Sequence, residues 1–447
     1  MGISSSRRRR IILPSLAIVA AATIGLAGCS SSGSTGQANA GSTPTVTVWS
    51  WRSQDVPIWK TVQKELAKEG TNVTIKFRSI SPTSYDSILQ TAMNGGAGPN
   101  IFYDRSTQTY AAAKFVKPLD GIADTSNINP SALAGAQYKG KTYGVPFAVQ
   151  TMGLFYNKDI LKENNIAVPK SWSGLLSAMK KLKGKGVTPM YVMGVQQWLL
   201  ALQIDAIGAS TMSNATTKSI TDKKSDYTHP QYVQTLAAFQ QLAPYLEDNW
   251  QATGSGGNEQ ETAFALGKTA FMIDGIFNTV AVKQVAPTLN YGQMLVPSPN
   301  GGTPKIDWYV DGAISMNANI SDKATERAAE KVVAFTGTKA FGNAFSDIAG
   351  EISPIKGVKV PAKYPLSFQA AKWFNTVPLT PIFGIRSPMD TPDPDPTSLK
   401  NKTSAAKTPG IFKAEQDVAG PLLEGKMTPA EAAAKVQSTL GWYFGGK

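Results

Sequence analysis

The chain has one cysteine and one histidine in 447 residues. A single cysteine excludes a disulfide within the chain, and Cys29 with His229 cannot supply the Cys/His set of a zinc site. A Ser-His-Asp triad would have to use His229, which sits beside a proline in "YTHPQ", and no G-x-S-x-G turn is present to display a nucleophile. Charge is sparse too, at 17% of residues, and acids are outnumbered: 31 Asp+Glu against 44 Lys+Arg, a formal net charge of +13. The lysines are scattered and no stretch interleaves arginines with aromatics, so no nucleic-acid partner is expected; the basic surface suits anionic lipid or wall polymer. The stretch "MDTPDPDPTS" spaces Asp390, Asp393 and Asp395 with prolines, which favours a stiff extended loop over a calcium site. No cofactor and no metal are expected.

What is present begins with Arg7 to Arg10, then the apolar run "IILPSLAIVAAATIGLAG". A basic block, a short apolar segment and small residues after it describe a secretory signal peptide; Pro14 inside the run and the lack of a basic flank beyond it argue against a retained membrane helix. Leu26-Ala27-Gly28-Cys29 resembles the lipobox of bacterial lipoproteins, which implies cleavage before Cys29 and acylation of its thiol. "SSSGSTGQANAGSTPT" then reads as a flexible tether. The expected arrangement is a signal peptide over 1–28 and a tether over 29–43, with the protein held by lipid on the outer face of the cell membrane. The mature chain would keep about 419 residues and a charge of about +9, enough chain for two domains.

After the tether, "TVTVWS" alternates as a strand should, and Ile58, Val62 and Leu66 form an apolar stripe on a helix that Gly70 is placed to end. "NVTIKFRSI", "TSYDSILQTAMNGG" and "PNIFYD" continue as strand, helix and strand, so a parallel sheet with right-handed crossovers is expected. "YGVPFAVQTMGLFYN" reads as two extended segments with no helix between them. Crossings between two α/β domains are expected near 147–152 and 294–300. Ser171 is a candidate N-cap, and Thr428 with Glu431 a capping box.

Gly140-Lys141-Thr142-Tyr143-Gly144-Val145-Pro146, Tyr156-Asn157-Lys158-Asp159 and Pro169-Lys170-Ser171-Trp172 follow one another, with "ETAFALGKTAFMIDGIFN" and "MTPAEAAAKVQ" after them. In this order they resemble the extracellular solute-binding proteins of bacterial ABC importers, in the branch similar to maltose-binding protein. Asn100 stands where the family usually has Asp, a departure expected to be structural only. The resemblance implies an α/β fold, two-lobed and periplasmic-binding-protein-like, with crossing hinge strands and a ligand cleft between the lobes. The lobes are expected at 44–149 with 302–352 and at 150–301 with 353–447. Capture of a sugar by hinge closure and delivery to permease subunits, by a monomer without enzymatic activity, is the implied function. A different solute, a receptor without transport, or a glycoside hydrolase remain as alternatives; the last needs two carboxylates about one bond, for which Asp104 and Asp274 are the available pair.

A sugar offers apolar faces and a rim of hydroxyls, so its site needs flat aromatics and planar polar groups. In open α/β sheets these lie past the carboxyl ends of strands. The expected ligand contacts are therefore Trp51 and Arg52 after the first strand, Gln150 at the first crossing, Trp198 after a strand in the second lobe, and Trp308 and Asp311 after the second crossing. The resemblance adds Asp104 and Arg105, an Asp-Arg pair on sugar hydroxyls, and Asp274 and Phe277, where the family carries a stacking tryptophan. Arg386 completes the set. Trp59, Trp172 and Trp442 are expected in the core.

Overall fold

Val46 and Val48, the apolar half of the first alternation, are fully buried in the strand they form. The computed structural model describes residues 43–445, apart from Thr83, Pro378, Thr380, Ile382, Phe383, Ile385, Arg386, Pro388, Met389 and the stretch 391–408. The signal segment, Cys29, most of the tether, Arg386, Asp393 and Asp395 lie outside the described residues.

In chain order the strands are β1 (Thr45–Ser50), β2 (Thr74–Ser79), β3 (Ile101–Asp104), β4 (Gln137–Tyr138), β5 (Lys141–Thr142), β6 (Gly144–Pro146), β7 (Val149–Asn157), β8 (Phe271–Gly275), β9 (Tyr291–Met294), β10 (Asp307–Val310) and β11 (Ala313–Met316). The first sheet runs β2-β1-β3-β11-β6. β1 is parallel to β2 and to β3, while β11 is antiparallel to β3 and β6. The opening strand-helix alternation is as the sequence predicts: Val56–Lys68 and Tyr85–Asn94 are helices, and Ile58, Val62 and Leu66 face the core. Gly70 follows the first of them at φ +77°, a left-handed turn that favours glycine. Asn100 is structural, accepting from the Thr47 backbone N–H at 2.8 Å and tying β1 to the entry of β3.

The second sheet joins β10, β7 and β8, with β9 also on β7, all antiparallel. It has its own core. The helix Gln197–Thr211 is buried on nearly every face, against the sheet and against the helices Pro230–Gln240 and Ile411–Leu423. Capping follows the sequence: Ser171 accepts from Gly174 N–H, and Thr428 and Glu431 cap each other. His229 is an N-cap, its Nδ1 accepting from Gln231 N–H at 3.2 Å, which accounts for the lone histidine without catalysis.

Two expectations need correction. No strand precedes Trp198; Met190 makes only isolated bridges to Leu246 and Phe271, and Trp198 lies in the first turn of a helix. The chain does not cross at 294–300 either. Val296 and Lys305 stay with the second core, both reached by Ser210, and the return is made at Asp311–Gly312, between β10 and β11. "MLVPSPNGG" is extended because of its prolines, and extension alone does not separate a crossing from a surface loop.

Three stretches of chain therefore run side by side between the sheets. Phe147–Ala148 links β6 to β7, Asp311–Gly312 links β10 to β11, and Glu351–Ile352 follows the helix Lys339–Ala349. They are hydrogen-bonded to one another: Asp311 N–H to Ala148 C=O at 3.0 Å, Phe147 N–H to Gly312 C=O at 3.4 Å, and Val149 N–H to Ile352 C=O at 2.8 Å.

Candidate functional site

A cavity of about 700 Å³ opens where the carboxyl end of β3 faces the second lobe. Its volume suits a small ligand. The first-lobe wall is Asp104, Arg105, the turn Ser106–Gln108, the loop Ala134–Ala136 and Pro146. Opposite stand Trp308 on β10 and, from the second lobe, Lys223, Trp442 and Tyr443. Val310 and Gly312 form part of the lining.

Asp104 ends β3 opposite Ala313 and is almost wholly buried. One carboxylate oxygen accepts from Thr107 Oγ1 at 2.6 Å, the other from Ser315 Oγ at 2.5 Å. Two hydroxyl donors fix its plane. The Arg105 guanidinium sits over the indole of Trp51, 3.9 Å from the ring centroid, and pairs with exposed Asp86 at 2.8 Å. The guanidinium is thus a cation–π cap on the tryptophan. Gly312 permits the arrangement. A Cβ there would come within 2.3 Å of the Asp104 carbonyl oxygen and 3.0 Å of the Trp51 ring.

On the other wall Trp308 packs edge-on to Phe374, centroids 5.3 Å apart. Trp442 and Tyr443 follow the last long helix, Pro429–Thr439, and their rings are perpendicular. Trp442 Nε1 donates to Pro409 C=O at 3.1 Å, Tyr443 Oη to Thr221 C=O at 2.7 Å, and Lys223 Nζ sits 4.4 Å from the Tyr443 ring centroid. The wall offers aromatic faces held by their polar ends, which is what the apolar side of a sugar ring packs against.

Of the residues predicted from sequence, Asp104, Arg105 and Trp308 line this cavity. Trp51 is buried beneath Arg105, among Tyr85, Tyr103 and Phe147. Arg52, Gln150 and Asp311 belong to a different feature, an ionic cluster beside the crossings. Arg52 donates to Asp55 at 3.0 Å, Asp311 at 3.0 Å and Glu351 at 2.7 Å, and Gln150 Nε2 donates to Glu351 at 2.7 Å. Burial pushes the Asp55 and Glu351 carboxyls up, and the guanidinium pulls both back.

Asp274, Phe277 and Trp198 lie together elsewhere in the second lobe. Trp198 and Phe277 are 6.3 Å apart, and Trp198 Nε1 is taken by Gln196 at 2.7 Å. Asp274 is fully buried at the end of β8, held by Gln260 at 3.2 Å and Asn278 at 3.1 Å. Burial raises it, and raises neighbouring Glu261 further, where Asp274 adds its own repulsion. Asp104 lines the cavity while Asp274 is sealed in this cluster, so they do not flank one bond as a hydrolase pair would.

Trp59 and Trp172 are core residues as expected, but Trp442 is corrected: it lines the cavity. The signal in the sequence was Gly441-Trp442-Tyr443, two adjacent aromatics past a helix-ending leucine and glycine. Neighbours on a short helix are about 100° apart, so both cannot bury fully in one core. Lys223, also missed, stands at φ +60° just after the helix Asn214–Thr221. A lysine in that conformation is uncommon and is a cue only once a structure is in hand. Among the described residues no group of three or more His, Cys, Asp or Glu is placed to hold a metal, and no helix is long and apolar enough to cross a membrane.

Curated relatives include the multiple sugar-binding protein of Streptococcus mutans serotype c, 23% identical over 69% of this chain and 74% of its own. The maltotriose-binding protein of Pyrococcus abyssi is 24% identical over 61% of this chain and 60% of its own. Among solved structures, a chitin oligosaccharide binding protein superimposes with a TM-score of 0.72 at 20% identity, covering 90% of this chain and all of the other. The GacH receptor of Streptomyces glaucescens, solved unliganded and with acarbose, gives 0.68 at 19% identity over 89% of this chain and 98% of its own. These likenesses fix a two-lobed, periplasmic-binding-protein-like α/β fold. A family profile described as bacterial extracellular solute-binding protein matches residues 61–371, and the chain belongs to that family.

Proposed function

We propose that this chain captures an oligosaccharide in the cavity between Asp104 and Trp442 by closing its lobes about the crossings, and hands it to the permease of an ABC importer. The observation that carries the reading is the pairing of walls: an oriented carboxylate and a guanidinium face three aromatics across about 700 Å³. That is the donor–acceptor and stacking chemistry a sugar needs, and relatives named for sugars support it. The ligand stabilises the closed form only through contacts it makes better there. One chain supplies both walls, so a monomer suffices. Acylated Cys29 and the tether would keep the protein beside its permease. The moving bodies are the two sheets with their cores.

Arg105 and Lys223 on opposing walls favour, as a second reading, a sugar carrying an acidic group or a phosphate. The deciding experiment is isothermal titration against maltotriose, raffinose, chitotriose and a uronic-acid disaccharide, with wild type, Trp442→Ala and Asp104→Asn. Heat with one of them, weakened about tenfold or more by either change, supports the reading, since a hydrogen bond to a charged group is worth about 1.5–3 kcal/mol. Products of cleavage in the calorimeter cell would replace it with the hydrolase. Asp104→Asn also disturbs two internal hydrogen bonds, so its melting temperature falls; Trp442→Ala is the cleaner probe of binding.

A further inference from the structure

The ionic cluster beside the cavity has a composition that the first lobe alone does not require. Arg52 leaves the end of β1 and already has an acid within its own lobe, Asp55, three residues on. Its other two N–H edges reach outward to Asp311 and Glu351. Gln150 closes the ring, donating to Glu351 at 2.7 Å and to Asp311 at 3.4 Å. Asp311 and Glu351 lie in the second and third of the stretches that run between the lobes, and Gln150 stands on β7, just past the first. The guanidinium also lies over the rings of Phe147, in the first crossing, and Phe345, on the helix that feeds the third, at 5.4 and 5.6 Å from their centroids.

We propose that Arg52 is the clamp of the hinge: a positioning residue that ties all three crossings to the first lobe and thereby sets how far apart the lobes stand without ligand. The inference rests on the reading of the chain as a protein whose lobes close. Any rotation of one lobe against the other changes backbone angles at the crossings, and hinges concentrate such changes in a few residues at element ends. Here two of those short stretches carry a carboxylate drawn to one planar cation, the first packs Phe147 against it, and Gln150 bridges the two carboxylates. A guanidinium holds such a fork because its donors are rigid and coplanar; an ammonium keeps the charge and loses the fork. The cluster is dry, with Arg52, Asp55, Gln150 and Glu351 buried, so its geometry is costly to alter. Asp311 is the exception, with 16% of its side chain exposed.

The test measures the separation of the lobes directly. Spin labels on cysteines replacing exposed Lys64 and Lys180, in the full chain carrying Cys29→Ser, report interlobe distance by double electron–electron resonance. Without ligand, Asp311→Asn is expected to broaden the distance distribution, and Arg52→Lys to broaden it by about twofold as the open and closed populations even out. A merely structural cluster would lower the melting temperature and leave the distribution superimposable on wild type, and that result in Asp311→Asn overturns the proposal. Should Arg52→Lys not fold, Asp311→Asn decides alone, because its partly exposed side chain can lose a charge while Arg52 keeps Asp55 and Glu351. The same labels in wild type, with the four saccharides above, keep the two readings apart. No ligand-driven shortening beside broadened variants would leave the clamp standing and remove the sugar.

Discussion

Two buried groups of carboxylates in this chain meet the same difficulty in different ways. Beside the crossings Asp55, Asp311 and Glu351 surround one cation, Arg52. At the end of β8, Glu261 and Asp274 lie against each other among neutral amides: Gln260 and Asn278 donate to Asp274, and Asn278 also to Glu261. A carboxylate taken out of water must be paired or protonated. The first group is held by a counter-charge. The second is held by a proton, since burial raises both carboxyls, and Glu261 the more because Asp274 adds its repulsion there. Glu415, whose Oε1 accepts from Tyr232 at 2.8 Å, is likewise raised by burial, to about 8. A counter-charge can reach several chain segments at once and suits a place where segments must be held together. A proton serves only its own site, and it answers to pH.

The sharpest way to break the comparison is to remove the cation. Arg52→Met would leave three acids without their partner, and deleting one side of a buried ion pair costs about 3–5 kcal/mol. Thermal unfolding should show a large loss at every pH tried; a variant within a degree of wild type would mean the acids had simply taken up protons. A smaller effect should come from pH on the unchanged protein. Carboxyls raised in the fold keep protons that the unfolded chain releases, so the contribution they make is complete below the ordinary carboxylate range and fades as pH rises. Glu247, raised by burial to about 7, and Glu261 above it set the window from mildly acidic to mildly alkaline. At constant 0.15 M salt, which screens the scattered surface lysines, the melting temperature should fall by several degrees between about pH 5.5 and about pH 8.5. A rise across that window would contradict the protonated state of the second group.

The first-lobe wall was readable because local pattern and the end of a strand coincide. "PNIFYD" is too short and apolar to be anything but a buried strand, and the two residues at its carboxyl end, Asp104 and Arg105, had to lie at the sheet edge where ligands bind. Trp308 aside, nothing equally local marked the second wall. Lys223 stands far from Trp442 and Tyr443 in sequence, and they meet only because the C-terminal helices return across the second core. Arg52 shows the opposite failure. Its position after β1 is that of a ligand residue, and no sequence pattern reveals that Glu351, 299 residues on, will occupy its donors. Trp51 was read as a ligand contact for the same reason, while Arg105 covers it. Periodicity gave the sheets and helices; contacts made by a few residues at the crossings depend on how the two sheets are joined.

The finest test separates the proton from the cation by an isosteric change. Glu261→Gln keeps the shape of the side chain and supplies permanently what the proton supplies now: an N–H donor toward Asp274, with its carbonyl still accepting from Asn278. At about pH 5.5, where the native Glu261 is protonated, the variant should melt close to wild type. At about pH 8.5 the wild-type fold must hold on to a proton that the unfolded chain has given up, and each unit between those affinities is worth about 1.4 kcal/mol. The glutamine has no proton to keep. Its melting temperature should therefore exceed wild type there by a few degrees, and the slope of stability against pH should be shallower by about one proton. Differential scanning calorimetry at the two pH values is sufficient. Equal destabilisation at both would mean that Glu261 works as an anion, with a cation as its partner after all, and the contrast between the two groups would disappear.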